Sequence, residues 1–294
     1  MRHAWLSGLF IVVVALAAMQ ATAEEQSLAI SNGEYSIPGI LSLPSDSPKP
    51  AAAVLLLHGT ASQKNEVGNL YQRFAKTLSA AGIASLRIDF AGAGDSPVDH
   101  SVYSLSGANR DAQASFDTLA LHPLINPQKI IVLGFSQGGL IAQRLALQEP
   151  RLLGLSTWSS VATDGAGSFG DFFERYHGQA QSSGYAQVSF DWLPEPLAFS
   201  LQWFQEIQAQ QTLSEMRGFK GPIFAVAGTA DTTVPFEQSV ALVGQSQHPL
   251  SQLVLLAGAD HIFNVLAPPD PRSKAESHDR LLSVTLEWML TLIR

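Results

Sequence analysis

The sequence predicts an α/β protein with a mostly parallel, doubly wound sheet and an inserted cap. Short apolar runs typical of buried parallel strands alternate along the chain with segments in which apolar residues recur at helical spacing. This alternation stops over about residues 161–215 and then resumes, which indicates an insertion above the carboxyl ends of the strands. A serine also lies in a glycine-rich turn between a strand and a helix, at Gly134-Phe135-Ser136-Gln137-Gly138.

The first 23 residues are typical of an export signal. Arg2 and His3 precede an apolar run over residues 9–18, which is too short to span a bilayer comfortably, and Ala21-Thr22-Ala23 forms a small-x-small cleavage site. We therefore expect a mature chain of residues 24–294, periplasmic or secreted, with no stable membrane span once the signal is cleaved. An uncleaved N-terminal anchor is the alternative.

The composition limits the possible functions. Removing residues 1–23 leaves 16 basic and 25 acidic side chains, a net charge of −9, which argues against binding to nucleic acid or to anionic lipid surfaces. The chain has no cysteine, which excludes disulfides, a cysteine nucleophile and cysteine-ligated zinc. A mature length of 271 residues suits one large domain with an insertion, and it leaves the oligomeric state open.

The predicted elements follow from apolar spacing and from the turn formers between the apolar segments. Residues 27–49 alternate short apolar pieces with turn formers such as Asn32-Gly33, which predicts an opening antiparallel hairpin. Apolar runs predict strands at 51–57, 83–90, 130–135, 152–158, 223–227 and 253–256. Helical spacing predicts helices at 70–81 (ended by Gly82), 105–121, 140–147, 236–244 and 277–294.

Ser136 is the candidate nucleophile. A serine on a tight strand-to-helix turn is held in a strained conformation and needs small neighbours, a condition that Gly134, Gly138 and Gly139 satisfy. The turn exposes the hydroxyl above the positive end of the helix dipole. A glycine-rich turn with an incidental serine is the alternative.

A serine hydroxyl needs a base, and the base needs an orienting acid. Asp231 follows the predicted strand 223–227 and His261 follows the strand 253–256, so both come in the chain order serine, acid, histidine. Asp231 could instead cap the next helix. Asp260 is a competing acid, although side chains of adjacent loop residues usually diverge, so we expect Asp260 to stabilise its loop.

The oxyanion of an acyl-transfer intermediate needs two backbone donors. The residue after the nucleophile, Gln137, supplies the first, and the loop after strand 51–57 should supply the second. Within His58-Gly59-Thr60 the N–H of Thr60 is the candidate. The alternative is that His58-Gly59 is only a turn.

Taken together, these motifs resemble the α/β-hydrolase superfamily, specifically serine esterases and acyl-peptidase-like hydrolases that include cinnamoyl and feruloyl esterases. In chain order the motifs are His58-Gly59, Arg87-Ile88-Asp89-Phe90, Gly92-Ala93-Gly94-Asp95-Ser96, Gly134-Phe135-Ser136-Gln137-Gly138-Gly139, Gly228-Thr229-Ala230-Asp231 and Gly258-Ala259-Asp260-His261. The resemblance implies an α/β-hydrolase fold with oxyanion donors at Thr60 and Gln137. It also implies that the loop 89–96 supports the site without taking part in the chemistry.

The predicted cap is rich in aromatic residues. Between Trp158 and Phe204 lie 11 of the chain's 25 aromatic residues. They could line an apolar acyl or aromatic pocket or form the cap's own small core. The candidate substrate-binding residues are Phe172, Phe173, Trp192 and Trp203. The segment has no cluster of arginine or lysine that could clamp a phosphate or a free carboxylate.

The sequence therefore predicts an exported serine hydrolase that cleaves small-molecule carboxylic esters through Ser136, His261 and Asp231, with no metal or organic cofactor. The alternatives are an amide, peptide or thioester hydrolase with the same triad, or a non-catalytic binding protein on the same fold. Dehalogenases and epoxide hydrolases of this superfamily carry aspartate where Ser136 stands, so we do not expect either activity. The Gly92-Ala93-Gly94 segment lacks the third glycine of a dinucleotide-binding loop, so we do not predict a dinucleotide site.

Overall fold

The computed structural model describes residues 24–45, 50–267 and 274–294, and the predicted export signal lies outside them. The strands are β1 (Glu24–Ser31), β2 (Ser36–Leu43), β3 (Ala51–Leu57), β4 (Ala84–Ile88), β5 (Ile125–Phe135), β6 (Gly154–Trp158), β7 (Tyr185–Val188), β8 (Leu197–Ser200), β9 (Ile223–Gly228) and β10 (Gln252–Leu256). Eight of these described strands form one sheet in the order β1-β2-β4-β3-β5-β6-β9-β10. The β1–β2 and β2–β4 pairs are antiparallel and the others are parallel.

Helices cover both faces of this sheet. The α-helices of the described chain, those of the inserted segment (α4–α7) included, are α1 (Leu70–Ala80), α2 (Leu105–Leu121), α3 (Gln137–Gln148), α4 (Gly170–Phe172), α5 (Gly178–Ser183), α6 (Leu201–Ala209), α7 (Thr212–Glu215), α8 (Glu237–Gly244) and α9 (Lys274–Ile293). Side chains of β3 alternate between the faces: Ala53, Leu55 and Leu57 pack in the core beneath α2 and α3, while Ala52, Val54 and Leu56 pack in the core beneath α1 and α9. The predicted doubly wound fold class is confirmed.

The ends of several elements show why the sequence forms them. Asn32 Oδ1 accepts hydrogen bonds from the N–H groups of Glu34 and Tyr35, which closes the β1–β2 hairpin. Gly82 adopts a φ of 78° just after α1 ends.

Strand β5 is longer than predicted. It begins at Ile125 rather than at residue 130, because the register is irregular: Ala51 pairs with Ile125, but Ala53 pairs with Ile130. Pro127 lies in the intervening residues, and the irregularity accommodates a residue that cannot donate to a regular ladder.

The chain between β6 and β9 forms a small helical layer with the β7–β8 hairpin. A π-helix, Phe173–His177, continues α4 into α5. Several polar contacts attach this segment to the region around the start of α2, two residues of the segment, Ser200 and Glu206, being prominent among them. The Glu206 carboxylate accepts from the Ser106 N–H at 2.9 Å and from its hydroxyl at 2.6 Å, and the Ser200 hydroxyl donates to the Tyr103 carbonyl at 3.1 Å. The predicted cap limits, 161–215, remain a prediction. Among the described helices, none combines the length and apolar character needed to cross a bilayer.

Candidate active site

Ser136 lies between the last residue of β5 and the first residue of α3, with φ 53° and ψ −122°. Its N–H donates to the Trp158 carbonyl at 3.0 Å, and its own carbonyl accepts from Gly139 and Val161. A Cβ on Gly138 would overlap the carbonyl oxygen of Leu57. Both backbone polar groups of Ser136 are therefore hydrogen-bonded in the strained turn, and the close approach of β3 requires glycine at position 138.

The structure brings Ser136, His261 and Asp231 together. His261 Nε2 lies 3.1 Å from Ser136 Oγ, and His261 Nδ1 lies 2.9 Å from Asp231 Oδ2. Because a carboxylate accepts, Nδ1 carries the ring proton and Nε2 presents its lone pair to the serine hydroxyl. The Asp231 side chain is fully buried and the His261 side chain is 16 % exposed. This is the geometry of a nucleophile, a base and an orienting acid.

Asp231 also orders its own turn. Its Oδ1 accepts from the N–H groups of Thr233 at 2.9 Å and Val234 at 2.8 Å, while Oδ2 faces the histidine. Asp231 therefore does both: Oδ1 caps its own turn, and Oδ2 contacts the histidine. The Ala230 N–H donates to the Ala259 carbonyl at 2.9 Å, which ties the aspartate loop to the histidine loop.

The competing acid, Asp260, points its hydrogen bonds elsewhere. Its Oδ1 accepts from the N–H groups of Ile262 at 3.0 Å and Asn264 at 2.6 Å. Its own N–H donates to Asn264 Oδ1 at 3.0 Å. Asp260 stabilises the turn that carries His261, as its position in the sequence led us to expect.

The two predicted oxyanion donors lie on adjoining segments. The Thr60 hydroxyl donates to Gln137 Oε1 at 2.5 Å, and a Cβ placed on Gly59 would lie 3.1 Å from Ser136 Cβ. The N–H of Gln137 belongs to the first turn of α3, where backbone donors have no intrahelical acceptor. The loop after β3 thus runs beside the serine, and the roles of both N–H groups remain a prediction.

Two buried side chains hold this loop in place: His58, which belongs to the His58-Gly59 motif, and Glu66, which the sequence did not single out. His58 Nε2 accepts from the Phe90 N–H at 3.1 Å, so its Nδ1–H donates to the Gly59 carbonyl at 2.8 Å. Glu66 accepts from the Gly59 N–H at 2.8 Å and from the Ser62 hydroxyl at 2.5 Å. Contacts of this kind depend on the folded loop, and no sequence pattern indicates them.

A buried ion pair links the same loop to residues 89–96. Lys64 Nζ lies 2.5 Å from Asp89 Oδ2 and 2.7 Å from Asp95 Oδ2. The Asp89 carboxylate also accepts from the N–H groups of Lys64 and Asp95. The hydrogen bond from Lys64 lowers the pKa of the Asp95 carboxyl. These contacts fit the supporting role that the resemblance implies for this loop.

The candidate substrate-binding aromatics occupy two kinds of position. Phe172 and Phe173 lie against the fully buried Trp203, with ring centroids 5.9 and 6.4 Å from its ring, so these three form part of an aromatic core of the inserted segment. Trp192 is 65 % exposed, and its indole N–H donates to the Ala61 carbonyl at 3.0 Å. A separate cavity of about 90 Å³ borders Thr60 and Gln137, and none of the four aromatics is among its lining residues. In the described part of the chain, no group of three or more His, Asp or Glu side chains is placed to hold a metal ion.

Comparisons with known proteins agree with this architecture. Residues 48–167 match the family model described as serine aminopeptidase, S33. A sequence comparison with curated proteins gives no match.

Several solved structures share the fold over almost their whole length. Est1E from Butyrivibrio proteoclasticus, solved with bound ferulic acid, is 19% identical, with a TM-score of 0.72 over 90% of this chain and 99% of that chain. The esterase domain of a Rhodothermus marinus protein is 20% identical, with a TM-score of 0.64 over 91% of this chain and 97% of that chain. Dienelactone hydrolase from Anabaena variabilis is 17% identical, with a TM-score of 0.63 over 92% of this chain and 99% of that chain.

Because these identities are low, the structural comparison establishes the fold, and the family match supports a hydrolase. The resemblance that the sequence motifs indicated is confirmed: the chain is an α/β-hydrolase by fold, and esterases are among its structural neighbours.

Proposed function

We propose that the protein is an exported serine hydrolase that cleaves carboxylic esters of small or medium size. The observation that carries the proposal is the hydrogen-bond chain from Asp231 through His261 to Ser136, with its 2.9 Å and 3.1 Å contacts. The partly buried serine on a strained turn and the buried aspartate suit the roles of a nucleophile and an orienting acid.

The mechanism follows from this proton arrangement. His261 Nε2 takes the proton of Ser136 as the serine oxygen attacks the ester carbonyl, and Asp231 stabilises the resulting imidazolium. The N–H groups of Thr60 and Gln137 donate to the tetrahedral oxyanion. His261 then returns the proton to the leaving alcohol. Water attacks the acyl-enzyme by the same route and releases the acid and free Ser136.

One observation argues against anionic substrates, and a second favours esters. The cavity beside Thr60 and Gln137 has no lysine or arginine in its lining, so it offers no counter-charge for a phosphate or a second carboxylate. Esterase and dienelactone hydrolase also appear in the names of proteins that share the fold.

Labelling with a fluorophosphonate probe tests the proposal. We expect the probe to modify Ser136 in the purified mature protein, and we expect both labelling and ester turnover to disappear in Ser136→Ala and His261→Ala. Ser159→Ala is a matched control, because Ser159 also has a positive φ but is buried, and its hydroxyl has no hydrogen-bond partner among the described residues. A folded protein that takes no label would instead favour a non-catalytic binding protein.

Amide or peptide hydrolysis is the second candidate, because the matching family model is described as a serine aminopeptidase. The same triad serves esters, thioesters and amides, and the leaving group decides between them. We expect kcat/KM to be largest for the ester in a series with one acyl group and matched ester, thioester and anilide leaving groups. A larger value for the anilide would reassign the protein as an amidase.

Export is the remaining part of the proposal. A signal of residues 1–23 predicts a mature protein that begins at Glu24. Intact-mass measurement of the protein recovered outside the cytoplasm tests this directly. A mass that begins at Met1 would show that the segment is retained.

A further inference from the structure

The cavity of about 90 Å³ beside the proposed oxyanion donors is the starting point. Its lining includes Gly59, Thr60 and Gln137, together with His100, Tyr103 and the inserted segment's Leu197. A Cβ placed on Gly59 would lie 3.1 Å from Ser136 Cβ, so the cavity borders the loop that runs beside the candidate nucleophile. The inference that follows rests on the proposed ester hydrolysis.

His100 presents a fixed hydrogen-bond acceptor to this cavity. Its Nδ1 lies 3.0 Å from the Ala198 carbonyl, which can only accept, so Nδ1 carries a proton. Burial lowers the pKa of His100, which keeps the ring neutral near pH 7 and leaves a lone pair on Nε2. The ring stacks on Tyr103 at 5.2 Å and touches Phe199 at 4.6 Å, which fixes its orientation.

Gln137 and Thr60 border the same cavity, and the Thr60 hydroxyl donates to Gln137 Oε1. A hydroxyl group on a substrate suits the His100 acceptor, because it can donate to an imidazole nitrogen.

The reaction geometry assigns this cavity to the acyl side of the ester. The leaving oxygen must lie near His261 Nε2 to receive its proton, and the oxyanion must face Thr60 and Gln137. The acyl substituent then extends away from His261, along the loop that carries Gly59 and Thr60, towards His100.

We propose that His100 is a specificity-determining residue that selects esters of hydroxy acids, whose acyl hydroxyl donates to His100 Nε2. An acyl group with a methyl in place of the hydroxyl leaves His100 Nε2 unmatched and is a poorer substrate.

The test compares p-nitrophenyl 3-hydroxybutyrate with p-nitrophenyl 3-methylbutyrate, which differ only by hydroxyl against methyl. We expect the wild-type kcat/KM to favour the hydroxy ester by about tenfold, with Ser136→Ala as the blank. In His100→Phe, which keeps an aromatic ring against Tyr103 and Phe199, this ratio should fall to about one or below. His100→Gln restores an acceptor and should recover part of the preference.

Each outcome decides the matter. Equal kcat/KM for the two esters in the wild type would overturn the inference and leave the proposed esterase function standing, and that result does not depend on any variant folding. A preference that persists in a folded His100→Phe would overturn the role of His100. If the wild type cleaves neither of the two esters nor p-nitrophenyl acetate, the proposed function is rejected and the inference with it.

Discussion

Replacing Asp231 with asparagine exchanges one carboxylate oxygen for an NH2 group at nearly unchanged size. In the wild type, Oδ1 accepts from the N–H groups of Thr233 and Val234, and Oδ2 accepts from His261 Nδ1. Since backbone N–H groups can only donate, asparagine keeps its oxygen beside residues 233 and 234 and turns its NH2 towards the histidine. Nδ1 must then accept, so the ring proton moves to Nε2 and Ser136 loses its base.

The size of the effect follows from the amide flip that would restore the productive tautomer. Flipping leaves two backbone donors unmatched, at a cost of about 1–3 kcal/mol each. The productive orientation is therefore populated in about one molecule in 30 to one in 10⁴. We expect kcat for ester hydrolysis to fall by about 30-fold to 10⁴-fold in Asp231→Asn, with little change in thermal stability because the two backbone hydrogen bonds persist.

Steady-state hydrolysis of p-nitrophenyl butyrate measures kcat, and the rate of fluorophosphonate labelling reports the reactivity of Ser136 itself. Asp260→Asn is the matched control. Its Oδ1 is engaged by Ile262 and Asn264, so the asparagine oxygen can replace it, and kcat should stay within about threefold of wild type. The reasoning is refuted if Asp231→Asn keeps more than about a tenth of the wild-type kcat, or if Asp260→Asn loses as much.

Three further predictions concern the surroundings of the site. Gly138→Ala should lower kcat about 100-fold, because the new Cβ would overlap the Leu57 carbonyl and displace the loop beside Ser136; wild-type kinetics would contradict this. Glu66→Gln should lower kcat about tenfold or more, with a smaller change in KM, because its NH2 group would face either the Gly59 N–H or the Ser62 hydroxyl. An effect on KM alone would show that Glu66 does not position the loop beside Ser136. Burial raises the pKa of Asp111 to about 6, so its proton is bound more tightly in the folded than in the unfolded chain, and its contribution to stability is full below about pH 4 and is lost as the pH rises through 6. Between pH 4 and 7 the free energy of unfolding of the wild type, relative to Asp111→Asn, should therefore fall by up to about 3 kcal/mol in urea titrations, whereas a constant difference would contradict the shift.

Local patterns in the sequence determine most of the sheet and the order of the triad residues. Strand β3 is apolar at all seven positions, and its side chains fill both cores, so a buried parallel strand is the arrangement that satisfies it. The chain order of Ser136, Asp231 and His261 could be predicted because each follows a strand, and parallel strands bring their carboxyl ends to one edge of the sheet.

Features that depend on contacts distant in sequence could not be predicted. Asn126-Pro127 looks like a turn, and only the pairing with β3 makes it part of β5. Glu66 lies in a polar stretch that gives no hint of burial, yet it accepts from two groups of the loop beside Ser136. The aromatic residues of the inserted segment indicate that it forms or covers an apolar region, but the sequence alone did not distinguish a substrate pocket from a hydrophobic core.

The inserted segment is held unequally at its two ends. Around the start of α2 it is fixed by Glu206 on Ser106 and by Ser200 on Tyr103, whereas near the serine an exposed Trp192 reaches the Ala61 carbonyl through one hydrogen bond. A single surface hydrogen bond breaks and re-forms easily, and a carboxylate that accepts twice does not. Loss of the Trp192 contact would therefore leave the contacts of Glu206 and Ser200 in place.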